Sequence, residues 1–130
     1  MKYVYPVVFD KAEEGGFNVS VPDIKGCFTC GDDMAESIEM AADAMEMMLV
    51  HYEDEGTEIP LPSNIEDIKS SGIVSLVVAD TDKWRREFDN KAVKKTLTIP
   101  SWLNSKAEKA NINFSQLLQE SICQKLGINL

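Results

Sequence analysis

Three sets of side chains in this sequence have the types and spacing to do chemistry. Cys27-Phe28-Thr29-Cys30 is a CxxC, the spacing of a zinc half-site or of a dithiol redox pair. A zinc site needs a second pair of ligands, yet the single histidine is His51 and Cys123 lies far along the chain. A redox pair should open a helix, whereas these four residues read as a strand, in which residues three apart point to opposite faces. Reduced, half-buried cysteines are therefore expected, with no metal and no cofactor. The second set, Asp10 and Asp80, raises the idea of a metal-dependent nuclease, which needs several carboxylates converging on divalent ions. Asp10 is expected to follow the first strand rather than lie within it, and no second strand supplies a partner, so no enzyme is expected. In the third set, Lys94, Thr96 and Thr98 alternate along one face of a strand. Lysine can donate to guanine O6 and N7, and threonine can donate, accept or set its methyl against thymine, so this face suits the DNA major groove.

The elements that must position these groups follow from the hydrophobic pattern. Residues 3–9 form a strand, which Pro6 pushes toward an edge because proline cannot donate to a ladder. Phe17, Val19 and Val21 alternate with Asn18 and Ser20 as a strand buried on one side, paired with the first as a hairpin. After the turn cluster at 22–26, a short third strand runs to Gly31. Asp33 followed by Glu36 starts a helix of about five turns. Its packing face is Ile38, Ala41, Met45, Met48, Leu49 and Tyr52, while Glu39, Asp43, Glu46 and Glu53 occupy the outward side. Residues 55–72 read as a loop. The almost continuously apolar run 73–79 reads as a strand inside the sheet. Residues 80–92 are polar and read as a linker.

In residues 93–99, Val93, Leu97 and Ile99 share the buried face opposite Lys94, Thr96 and Thr98. Pro100 suits the start of a first helix striped by Leu103, Ala107 and Ala110. Asn113 with Gln116 caps a second helix, whose core face is Phe114, Leu117, Leu118, Ser121, Ile122 and Leu126, and Gly127 stops it. The free amides at Asn113, Phe114 and Ser115 suit a backbone phosphate. Some 38 residues with one strand cannot bury enough surface alone, and the strand's ladder is unpaired. Two copies pairing strand to strand resolve both problems, so a homodimer through residues 93–130 is expected, reading DNA with its ribbon.

Charge divides the chain. Residues 1–83 carry 18 Asp or Glu against 5 Lys, a balance of −13, and residues 84–130 carry 4 acids against 8 Lys or Arg, a balance of +4. An acidic N-terminal part is repelled by phosphate and attracted to a cationic surface. No apolar run approaches the roughly 20 residues that span a bilayer. The N-terminus has no signal-peptide layout, so a cytoplasmic protein with no membrane partner is expected.

Several stretches together resemble the HicB antitoxins of bacterial toxin–antitoxin pairs: Tyr5-Pro6-Val7-Val8, Gly16-Phe17-Asn18-Val19-Ser20-Val21-Pro22-Asp23, Gly26-Cys27-Phe28-Thr29, Ile59-Pro60-Leu61-Pro62-Ser63, and Lys94 to Pro100 with Asn113 to Gln116. The resemblance implies an α+β chain of three parts. Residues 1–80 would be a β-β-β-α-β, partial RNase H-like, toxin-binding domain, 81–92 a linker, and 93–130 a ribbon-helix-helix that dimerises and binds operator DNA. It implies a basic HicA-type mRNA interferase as partner and repression of the chain's own operon. Pairing of the N-terminal domains would extend the dimer to a tetramer. Phe17, Pro22, Asp23, Cys27 and Phe28 fall in the most recognisable signature; they are the candidates for toxin contact, with shaping of the hairpin and turn as the preferred role. The rival expectation is a stand-alone ribbon-helix-helix regulator whose N-terminal domain senses a ligand or another protein.

Overall fold

The computed structural model describes residues 1–129. They divide into two units, Met1–Lys91 and the stretch from Ala92 onward.

In the first unit, β1 (Lys2–Lys11), β2 (Phe17–Ser20) and β3 (Phe28–Gly31) are followed by α1 (Met34–Glu55), β4 (Ile73–Asp80) and α2 (Thr81–Phe88). The sheet is antiparallel throughout, in the order β3-β2-β1-β4. Period-two alternation puts Tyr5, Val7 and Phe9 of β1, Val19 of β2 and Val77 and Ala79 of β4 on one face, where they pack on Ala41, Met45 and Leu49 of α1. Asp33 caps α1 by accepting from the Glu36 amide at 2.8 Å, and Gly56 ends the helix in the left-handed region. Two glycines permit the close approach of hairpin and helix. A Cβ on Gly16, whose φ is +75°, would strike the Gly31 carbonyl, and one on Gly31 would strike the backbone of the buried Ser37.

In the first unit the elements differ from the sequence reading in four respects. β1 is central, not peripheral; the missing Pro6 donor is tolerated because β2 pairs only with Val8–Lys11, which leaves β1 at Pro6 flanked by β4 alone. β4, expected inside the sheet, is its edge: Val77 and Ala79 are buried while Leu76 and Val78 are more than half exposed. Its continuous apolarity therefore marks one buried and one open face. In α1, Ile38 is exposed, and Glu46 and Glu53 are not outward; Glu46 is buried and Glu53 half-buried. The cause is the fourth difference. Most of the expected linker is a helix: α2 is capped by Asp80, which accepts from the Asp82 and Lys83 amides, and it packs along α1.

In the second unit, α3 (Ser101–Lys109) and α4 (Phe114–Leu126) are joined by a turn in which Asn111 takes a φ of 56°. The Asn113 side chain accepts from the Gln116 amide at 3.1 Å, and Gly127 closes α4 with a φ of 71°. Residues 93–99, expected as a strand, form none: a strand is defined by its ladder, and no described segment pairs with them. None of the described residues from Ala92 onward is buried, and Leu97, Trp102 and Leu126 are all more than 60% exposed.

Candidate functional site

The first two sets of chemistry-bearing residues are separated by the fold. Cys27 is buried, its thiol pushed up by that burial, while Cys30 is exposed on β3, and both are free thiols. Asp10 lies inside β1, not after it, and Asp80 pairs with Lys2 at the far end of the same strand. Eight residues of extended chain hold these carboxylates about 27 Å apart, too far to share an ion. Asp80 is occupied as the cap of α2. Among the described residues no three His, Cys, Asp or Glu side chains are grouped to hold a metal.

The hairpin signature works mainly as a fastener. The turn after β2 closes through Val21 and Cys27, whose backbones bond N–H to carbonyl at 3.1 Å, with Gly26 at a φ of +77°. The Asp23 carboxylate accepts from both the amide and the hydroxyl of Ser63, and the Tyr5 hydroxyl donates to the Pro60 carbonyl. Tyr5, Asp23 and the Ile59-Pro60-Leu61-Pro62-Ser63 stretch thus pin a long loop to the sheet. Of the five candidate contact residues, Cys27 is in the core, Phe17 packs against it, and Asp23 is committed to Ser63. Pro22 and Phe28 are exposed, Phe28 by 73%.

A second polar cluster joins α1 to α2. Arg85 donates to Glu53 at 3.1 Å and to Asp54 at 2.9 Å, and Glu53 also accepts from Tyr3 and Thr81. Burial and the Glu53 carboxylate push the Tyr3 hydroxyl up to about 12. Glu46 lies beneath this helix pair with one carboxylate oxygen lacking a partner among the described residues. Desolvation raises its pKa, against the pull of Lys83 and the Asp80 amide. Sequence reading missed the cluster. Its signal was Asp80 before Thr81, a capping pattern, with Trp84 and Phe88 at helical spacing; the two rings lie 5.1 Å apart.

In the second unit Lys94, Thr96 and Thr98 are exposed. Leu97 and Ile99, their alternate neighbours, line a cleft of about 480 Å³ with Phe114, Leu117 and Leu118 of α4. The Phe114 and Ser115 amides sit in the first turn of α4, where helical geometry provides no acceptor. Lys94, Thr96 and Thr98 are not among the residues that line the cleft.

Residues 5–127 match the family model of the HicB-like antitoxins of bacterial toxin–antitoxin systems. The chain belongs to this family. Antitoxin HicB 1 of Photorhabdus laumondii is 43% identical over 61 residues, 47% of this chain and 39% of that protein. Antitoxin HicB of Escherichia coli K12 is 42% identical over 59 residues, 45% of this chain and 43% of that one. The chain thus spans about two fifths of the length of these curated relatives. Among solved structures, a toxin–antitoxin complex from Streptococcus pneumoniae superposes with a TM-score of 0.60 at 25% identity, over 96% of this chain and 99% of that one. The Burkholderia pseudomallei antitoxin HicB, at 19% identity and a TM-score of 0.55 over 95% and 98%, shares the fold. This HicB-family chain is a mixed α+β protein whose described residues hold a four-stranded antiparallel sheet and four α-helices. No described helix is long and apolar enough to cross a membrane.

Proposed function

We propose that this chain is an antitoxin that binds and neutralises a HicA-type mRNA interferase and represses its own operon through a dimeric ribbon-helix-helix. The observation that carries this reading is that a single antitoxin family match runs through both units, from residue 5 to residue 127. The charge division supports it. A toxin that grips RNA needs a basic surface, which the acidic first unit complements, while the basic second unit suits phosphate. The partial RNase H-like assignment of the N-terminal domain comes from the family resemblance, and the β-β-β-α-β order is consistent with it. The second unit's unburied apolar residues support dimerisation, since helices of 9 and 13 residues are marginal alone in water. In the paired state Lys94, Thr96 and Thr98 read bases and the first turn of α4 holds a phosphate.

Co-expression with a HicA-type toxin, sought first in the adjoining reading frame, tests the neutralising role: growth rescue and stable co-purification are expected. Failure of both leaves the stand-alone regulator. Lys94→Ala with Thr96→Ala should weaken operator binding at least ~100-fold, about 3 kcal/mol, with dimerisation and toxin neutralisation intact. Retained operator affinity in a mobility-shift titration would refute the assigned DNA face.

A further inference from the structure

The sheet has an edge that ordinary soluble proteins guard. Every ladder pairing of β4 runs to β1, and among the described residues no other backbone group bonds to Ile73–Asp80; only at its end is the edge taken, where the Asp80 amide is held by the Glu46 carboxylate. A row of unpaired N–H and C=O groups invites another strand, so natural edges carry lysine, proline, a bulge or a covering element. From Ile73 to Ala79 this strand has neither charge nor proline. Leu76 and Val78 are 55% and 52% exposed, and Val4, opposite Val78 on β1, is also exposed. An apolar patch therefore continues from the open edge onto the outer face of the sheet.

Along that edge runs a groove of about 530 Å³, lined by Leu76 and Val78, by Glu39 and Asp43 from α1, and by Lys83 and Glu87 from α2. Its walls present three carboxylates against one ammonium. A second copy of this strand, related by a two-fold axis, would bring the same excess of carboxylates against itself. A segment of a basic protein would bring the complement. The unit that carries the groove is strongly acidic as a whole, which steers cationic partners to it and like copies away.

We propose that the open edge of β4 is the surface on which the basic toxin docks, adding an extended segment to the sheet as a fifth strand with its cationic side chains against Glu39, Asp43 and Glu87. Main-chain pairing supplies register, Leu76 and Val78 supply apolar contact, and the carboxylates select the partner's charge. This rests on the antitoxin reading. It places toxin contact at the opposite edge of the sheet from Phe28, an exposed residue of the hairpin signature.

The test uses the full chain and the HicA-type toxin of the co-expression experiment, with affinity measured by calorimetry. Leu76→Lys with Val78→Lys adds charges at positions already half exposed and should weaken binding by about tenfold or more. Phe28→Lys should change it less than about twofold. Should circular dichroism show the double variant unfolded, Glu39→Lys with Asp43→Lys on the exposed side of α1 poses the same question. Hydrogen exchange on the unmodified pair needs no variant: toxin should slow exchange within Ile73–Asp80. Unchanged exchange there, or a complex broken by Phe28→Lys alone, overturns the β4 assignment and leaves the antitoxin reading standing. A loss of mass in the toxin-free double variant by light scattering assigns the edge to a second copy and also overturns it. Absence of binding by the unmodified chain sinks the antitoxin reading itself.

Discussion

Glu46 is the residue whose position costs the fold most clearly. Its carboxyl is buried under α2 with an unpartnered oxygen, and desolvation raises its pKa above the ordinary 4.5. The native state therefore keeps this proton to higher pH than the unfolded chain does. The linked contribution to stability is greatest below 4.5 and declines as pH rises through the raised value. Glu46→Gln removes the charge while keeping the shape. It should stabilise the protein at pH 7 by on the order of 1 kcal/mol and flatten that decline. Urea midpoints for the two proteins between pH 4 and pH 8 check this; parallel curves would remove Glu46 as the cause. Asp23 is the contrasting case, a carboxylate whose two bonds to Ser63 hold a loop in place and leave it little freedom to meet a partner. Asp23 was legible in the sequence as a signature residue. Its work as a fastener was not, because Ser63 lies 40 residues away.

Among the elements, α2 changes the organisation most. An eight-residue helix is too short to persist alone, so its formation depends on the Asp80 cap and on the Arg85 contacts with Glu53 and Asp54. Because Arg85 and Glu53 are partly screened by water, Arg85→Ala should cost only about 1 kcal/mol globally. Locally it should free the helix, seen as faster hydrogen exchange at residues 84–88. Unaltered exchange would mean that Trp84 and Phe88 hold α2 without the ion pair. Strand types were readable from period-two alternation in β2, and the α1 cap from Asp33 and Glu36. Sheet order was not: β1 and β4 are adjacent although 61 residues separate Lys11 from Ile73, and no local pattern records that pairing.

At the scale of the whole molecule, an acidic unit with a conventional core is followed by a basic one with no buried residue among those described. On the proposed antitoxin reading the second unit gains its stability by association, through the paired ribbon and the cleft between Leu97, Ile99 and α4. Ile99→Asp should convert the full chain to monomer in light scattering and remove the α3 and α4 contribution at 222 nm, while the first unit melts cooperatively as before. A variant that stays dimeric would move the association to another surface. The sequence by itself determined the α+β composition, the charge division, the helix caps and the alternation that separates Lys94, Thr96 and Thr98 from Leu97 and Ile99. All of these depend on residues within a few positions of one another, where side-chain direction follows backbone period. Only the tertiary structure decided that β4 is an open edge, that residues 81–88 are a helix and that Glu46 is buried. Each of these depends on which distant segments exclude water from one another, and that is a property of packing rather than of pattern.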